Sequence, residues 1–196
     1  MDKEAQAEVD ETVSFDSESL ILVDSNDREL GHKSKAACHE GSGTLHRAFS
    51  LFIFNPEGEL LLQQRSAQKR LWPLYWSNSC CSHPRLGEEM NDAVHRRLYQ
   101  ELRVTSDLRY LYKFEYQAQY DDTGAEHELC WVYIGTTTDS VRVNANEIAD
   151  WRFISPRNLD AEMASKPDTF TPWFKMEWAR IKHDHGANLA TLGIHL

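Results

Sequence analysis

Trp76-Ser77-Asn78-Ser79-Cys80-Cys81-Ser82-His83-Pro84 is the stretch on which the reading of this chain turns. It combines small polar residues, two adjacent thiols and one imidazole. If the run is extended, successive side chains point to opposite faces. Cys81 then shares a face with Ser79 and His83, and Cys80 points away. Only one thiol would sit beside a candidate metal ligand. A thiol beside a cation has a lowered pKa and can exchange protons or attack carbon. Two buried structural cysteines are the plainer reading of the same residues.

Outward from this run the pattern changes. Downstream of Pro84, Met90, Val94, Leu98 and Leu102 recur every four residues, which puts them on one face of a helix. Upstream lies Lys69-Arg70-Leu71-Trp72-Pro73-Leu74-Tyr75-Trp76, whose aromatic residues around a proline predict a packed, rigid loop. Strands are predicted at Leu20–Val23, Phe49–Phe54, Glu59–Gln64, Tyr110–Tyr120, Glu126–Thr136 and Trp151–Ile154. Asn55-Pro56-Glu57-Gly58 reads as a turn that returns Glu59–Gln64 as a hairpin, and Asp121-Asp122-Thr123-Gly124 as a second turn. Ser155 can cap a helix to about Ala164, and Thr171 or Pro172 opens a last helix to about His183. Strands joined partly by hairpins and mixed with few helices predict an α+β, or mixed α/β, domain over residues 19–186. Residues 1–18 read as an acidic, mobile tail and residues 187–196 as a C-terminal tail. His183, His185 and His195 fall in this polar C-terminal region.

The 196 residues suffice for one domain with a sizeable core. The formal net charge of -10 argues against nucleic acid as a partner, because phosphate contacts need clustered Lys and Arg. No stretch has the length of a membrane helix, and the acidic N-terminus lacks the basic start and apolar run of a secretory signal. The cytoplasm is the expected compartment and a monomer the expected state. The four cysteines, Cys38, Cys80, Cys81 and Cys130, show no paired zinc spacing.

Metal ligands are offered in three places. His39 and His46 stand seven residues apart in a polar loop, His83 closes the central run, and Glu126 and Glu128 are two apart on a strand. Alternation puts both glutamates on one face and His127 on the other. The following residues make both faces buried, and two carboxylates entering a buried face need cations to offset their desolvation. A solvated strand face and satisfied core histidines would give the same spacing.

As a whole these motifs resemble type 1 isopentenyl-diphosphate isomerases. The resemblance is carried by Trp76–Pro84 with Trp72-Pro73 before it, by Glu126-His127-Glu128-Leu129-Cys130, and by His39 and His46 ahead of Arg47-Ala48-Phe49-Ser50. It runs from about Leu20 to about Trp178 and implies a Nudix-like fold, with mixed sheets flanked by helices. The Nudix box would fall between Gly87 and Val104, and it is degraded. Ala93, Arg97 and Gln100 stand at glutamate positions and Arg103 at the glycine, while Arg96, Leu98 and Glu101 fit. A Nudix-type pyrophosphohydrolase, the alternative on this fold, gathers carboxylates on that helix to bind the metals that activate water.

The resemblance implies interconversion of isopentenyl and dimethylallyl diphosphate through a tertiary carbocation, in isoprenoid biosynthesis. Glu128, helped by Tyr116, resembles the proton donor, and Cys81 the group handling the proton on the other face. Trp173 resembles the pocket tryptophan whose π face stabilises the cation, worth on the order of 2 kcal/mol when desolvated. Lys35, Arg65, Lys69 and Arg97 stand at phosphate-binding positions. His39, His46, His83, Glu126 and Glu128 would hold one octahedral ion, Mn²⁺, Zn²⁺ or Mg²⁺, and Glu101 a second, Mg²⁺, bridging to the diphosphate.

Overall fold

The computed structural model describes residues 11–195. Its centre is the strand β3, His46–Phe54, which is buried along almost its whole length. Such a strand needs cover on both faces, and its side chains alternate between two cores. Ala48, Phe52 and Phe54 enter one with Phe174, Trp178 and Ile181. Phe49, Leu51 and Ile53 enter the other with Ala93, Val94, Leu98 and Leu102. The first core is covered by α4, Pro172–Asp184, and the second by α2, Met90–Leu102. The predicted periodicity of α2 therefore faces the sheet. Arg103, in the left-handed conformation at φ 55, ends that helix.

Among the described residues nine strands form one mixed sheet. β1 (Ser19–Val23) pairs antiparallel with β2 (Glu29–Ser34), and a short helix α1 (Lys35–Cys38) follows. β4 is Leu60–Arg65, β5 Trp76–Ser77, β6 Cys80–Ser82, β7 Arg109–Asp121, β8 Gly124–Thr136 and β9 Ile148–Ile154. β7 and β8 make a long hairpin, and β8 runs parallel to β3 from His46↔Glu128 to Phe54↔Thr136. Helix α3 (Pro156–Ser165) starts at Ser155, whose side chain accepts from the Asn158 N–H. A short helix α5, Gly186–Ala190, is the last helix among the described residues.

The predicted β3–β4 hairpin pairs only at its base, Phe54↔Leu60. Beyond that the strands splay, because the run Trp76–Ser82 is inserted between them. β6 pairs with β3 and β5 pairs with β4. Ser79 bridges the gap: its Oγ accepts from Ile53 N–H at 2.8 Å and donates to Leu61 O at 2.7 Å. Ser79 is thus a wedge between strands and does not share a surface with Cys81 and His83. β4 turns instead to β9.

The described parts of both predicted tails, residues 11–18 and 187–195, make contacts with the domain. Residues 1–10 lie outside the described residues. Val13 is buried, Asp16 O accepts from Ala36 N–H, and Glu18 pairs with Arg85. At the other end Leu189 and Ile194 enter the core beside Trp178. Scattered single apolar residues anchor both segments, so neither shows a period. His185 stacks on Tyr112 at 4.9 Å, and His183 is exposed and bonded to Asp184.

Candidate active site and metal centre

Strand register assembles the centre. His46 is the parallel neighbour of Glu128, and Tyr116 its antiparallel neighbour on the other side. Three consecutive strands, β3, β8 and β7, therefore present these side chains in a row. His83 follows β6, which is held on β3 by Phe49↔Ser82. His39 caps the C-terminus of α1, where its carbonyl accepts from Ala125 N–H at 3.1 Å. That approach depends on Gly124, since a Cβ there would lie 2.1 Å from His39 O.

The five ligand atoms of His39, His46, His83, Glu126 and Glu128 lie within 4.8 Å of one another. Hydrogen bonds decide which nitrogens face inward. His39 Nδ1 donates to Lys35 O at 2.6 Å and His46 Nδ1 to Thr44 O at 2.7 Å. A carbonyl only accepts, so both rings carry a proton on Nδ1 and turn Nε2 towards the centre. Burial opposes the charge on His39, but the Glu126 carboxylate outweighs it and raises its pKa. His46 Nε2 and Glu126 Oε2 are buried without a hydrogen-bond partner, although His39 Nε2 comes within 2.7 Å of that oxygen. His83 Nε2 is 3.0 Å from Glu128 Oε1, and Tyr116 OH donates to Glu128 Oε2 at 2.7 Å. Orphaned acceptors, oriented imidazoles and two carboxylates in one buried cluster fit a divalent cation.

The protein's own charges pull these groups apart. Burial, then the neighbouring His39, pushes His46 down to about 4 and leaves it neutral. His83 is lowered further, by burial and then by His46. Burial opposes ionisation of Glu126, but His39 outweighs it and holds the carboxyl at about 2. Glu128 is raised well above the carboxylate range by burial and then by Glu126. One carboxylate of the pair is thus set to ionise and the other to keep a proton.

A cavity of about 280 Å³ opens beside this cluster. Its wall holds Cys81, His83, Tyr116, Glu126, Glu128 and Trp173 together with Lys35, Arg65, Lys69 and Arg97. Cys80 lies in the α2 core instead, as alternation predicts. Within the protein itself, two effects act against each other on the Cys81 thiol. Arg65 lies 4.0 Å from the sulfur, but burial dominates and pushes the thiol up to about 12. Trp173 is placed by the N-terminus of α4. Thr171 N–H donates to Trp76 O, Thr171 Oγ1 is 3.0 Å from Ser77 Oγ, and the indole N–H donates to Ser77 Oγ at 3.1 Å. The Trp72 ring packs edge-on against it at 5.2 Å. The rigid loop holds Arg65, whose Nε and Nη2 donate to Trp72 O and Leu71 O. Trp72 and Leu74 take positive φ there, 46° and 63°, a strained geometry that sequence pattern does not reveal.

Glu101 is outside the five-residue cluster and is bonded to Arg97 Nη2. Sequence reasoning missed three partners of the cations. Glu147, 3% exposed, pairs with Lys69 and lies 3.4 Å from Arg97. Val13 O accepts from Arg97 Nη1 at 2.6 Å, and Ser14 Oγ accepts from Lys35. None of the three belongs to a motif. Among the described residues no helix is long and apolar enough to cross a membrane.

The NUDIX domain family model matches residues 44–174. The chain is similar to isopentenyl-diphosphate Delta-isomerase 1 of Photorhabdus laumondii, with 43% identity over 86% of this chain and 97% of that one. It is similar to isopentenyl-diphosphate Delta-isomerase of Pectobacterium atrosepticum, with 41% identity over 83% of this chain and 90% of that one. A Deinococcus radiodurans crystal structure superposes with a TM-score of 0.62 at 24% identity, covering 76% of this chain and 90% of that one. A MutT protein of Methanosarcina mazei gives 0.60 at 17% identity, over 71% and 94% of the two chains. These two structures share the fold alone. With nearly the full length of its relatives matched at this identity, the chain belongs to the NUDIX-domain family and, within it, to the isopentenyl-diphosphate Delta-isomerases.

Proposed function

We propose that the protein interconverts isopentenyl diphosphate and dimethylallyl diphosphate. The observation that carries this reading is that Cys81 and the Glu128–Tyr116 pair line the same cavity as Trp173 and four cations. Glu128 donates a proton to the terminal alkene carbon. The π electrons form the new C–H bond and leave a tertiary cation. Cys81, starting as the thiolate, takes a proton from the neighbouring methylene and becomes the thiol, and the C–H electrons become the new double bond. In the reverse direction the two groups exchange roles. Burial favours the proton on Glu128, which suits an acid that hands it to carbon and not to water, while Arg65, 4.0 Å from the sulfur, favours the Cys81 thiolate against burial. Trp173 offers a π face to the cation without a lone pair that could trap it.

His39, His46, His83, Glu126 and Glu128 would hold one divalent ion, and Glu101 would hold Mg²⁺ beside the diphosphate. Such an ion supplies charge that fixes the position and acidity of Glu128, and its mixed ligand set suits Mn²⁺, Zn²⁺ or Mg²⁺. Lys35, Arg65, Lys69 and Arg97 would bind the diphosphate. A pyrophosphohydrolase reading lacks support, because α2 carries Ala93, Arg97 and Gln100 where water-activating chemistry needs carboxylates. A monomer is proposed as the working unit. Four free thiols support a reducing compartment such as the cytoplasm.

Incubation with isopentenyl diphosphate and Mg²⁺ tests the reaction. The allylic isomer is expected without free phosphate. Phosphate release without dimethylallyl diphosphate would overturn it.

A further inference from the structure

Two carboxylates stand among the cations of the pocket. Glu147 is buried, forms part of the cavity wall, and shares its Oε2 between Lys69 Nζ and Arg97 Nη2. Glu101 binds the same Arg97 nitrogen. The backbone holds Glu147 in place: its N–H donates to Asn144 O at 3.0 Å, and its carbonyl accepts from Ser66 N–H at 2.9 Å. Lys69 and Arg97 outweigh the burial of Glu147 and keep its carboxyl at about 2, so it is ionised at any working pH.

Lys69 and Arg97 are thus already neutralised before an anion arrives. A bare phosphate or diphosphate must compete with Glu147 for both cations and approach a fixed negative charge in a poorly screened site. A diphosphate that carries a divalent cation brings positive charge towards the same carboxylates. We infer that Glu147 is a specificity-determining residue of the diphosphate subsite, rejecting bare phosphate-type anions and admitting the cation-complexed diphosphate. The inference rests on the proposed diphosphate substrate. It differs from a purely positioning role, in which Glu147 would hold Lys69 and Arg97 in register and strengthen both forms alike.

Calorimetric titration with inorganic pyrophosphate, with and without Mg²⁺ on the same protein preparation, distinguishes them. The wild-type protein is expected to bind the Mg²⁺ complex at least about tenfold more tightly than bare pyrophosphate, a difference of about 1.4 kcal/mol. Glu147→Gln is expected to gain about tenfold for bare pyrophosphate, so that the preference for the Mg²⁺ complex collapses. Equal binding of both forms by the wild-type protein overturns the inference without any variant. So does a Glu147→Gln variant that weakens both forms and keeps their ratio. Failure of isomerisation with the preference intact would sink the proposed reaction and leave this inference standing.

Discussion

Replacing Ser79 by alanine removes the wedge that keeps β3 and β4 apart. The hydroxyl accepts from Ile53 N–H and donates to Leu61 O, and Ser79 is fully buried. Alanine leaves one donor and one acceptor unpaired, with no room for solvent to replace the lost oxygen. Each orphaned group costs about 1–3 kcal/mol. The volume lost is a single atom, so the cavity contribution is small. Ser79→Ala should therefore lose roughly 2–6 kcal/mol in urea unfolding and, for a domain of this size, about 4–24 °C in Tm. Ser165→Ala is the control. That exposed hydroxyl bonds only Glu162 O, and its loss should stay within about 0.5 kcal/mol. If the two variants unfold at the same urea concentration, the Ser79 bridge is not what holds the splayed strands.

Other outcomes follow from the same geometry. Cys81→Ala should lower kcat by roughly 10²–10⁴-fold, the usual weight of a proton-transfer group, while Cys80→Ala, in the α2 core, should keep turnover and lose stability. Equal kinetic losses would show that the facing of the two thiols is irrelevant. Glu126→Gln should weaken divalent metal binding about 10–100-fold by metal analysis after dialysis, and unchanged metal content would remove Glu126 from the centre. Glu177 is fully buried with Oε2 unpartnered, and burial raises its carboxyl to about 8. Between the ordinary carboxylate range and about pH 8 the folded protein keeps this proton and the unfolded chain has lost it. Stability should therefore fall as pH rises through that window, and Glu177→Gln should flatten the fall in pH-dependent unfolding. A wild-type curve that is level from pH 5 to 8 would refute it.

The sequence by itself determined the elements whose cause is local. Alternation placed Cys81 and Cys80 on opposite sides, and the four-residue recurrence from Met90 to Leu102 made α2. Ser155 and Pro172 marked helix starts, and two glutamates two apart shared a face of β8. These patterns depend only on the repeat of a strand or a helix. Tertiary structure alone decided what depends on partners distant in the chain. Parallel register set His46 beside Glu128, and Ser79 became a wedge because the segment carrying Cys81 was inserted between β3 and β4. Glu147 and Val13 reached Arg97 from opposite ends of the chain. The pKa of Cys81 also waited on the fold. Burial raises it against Arg65, and desolvation scales with burial, which is a property of the packed molecule.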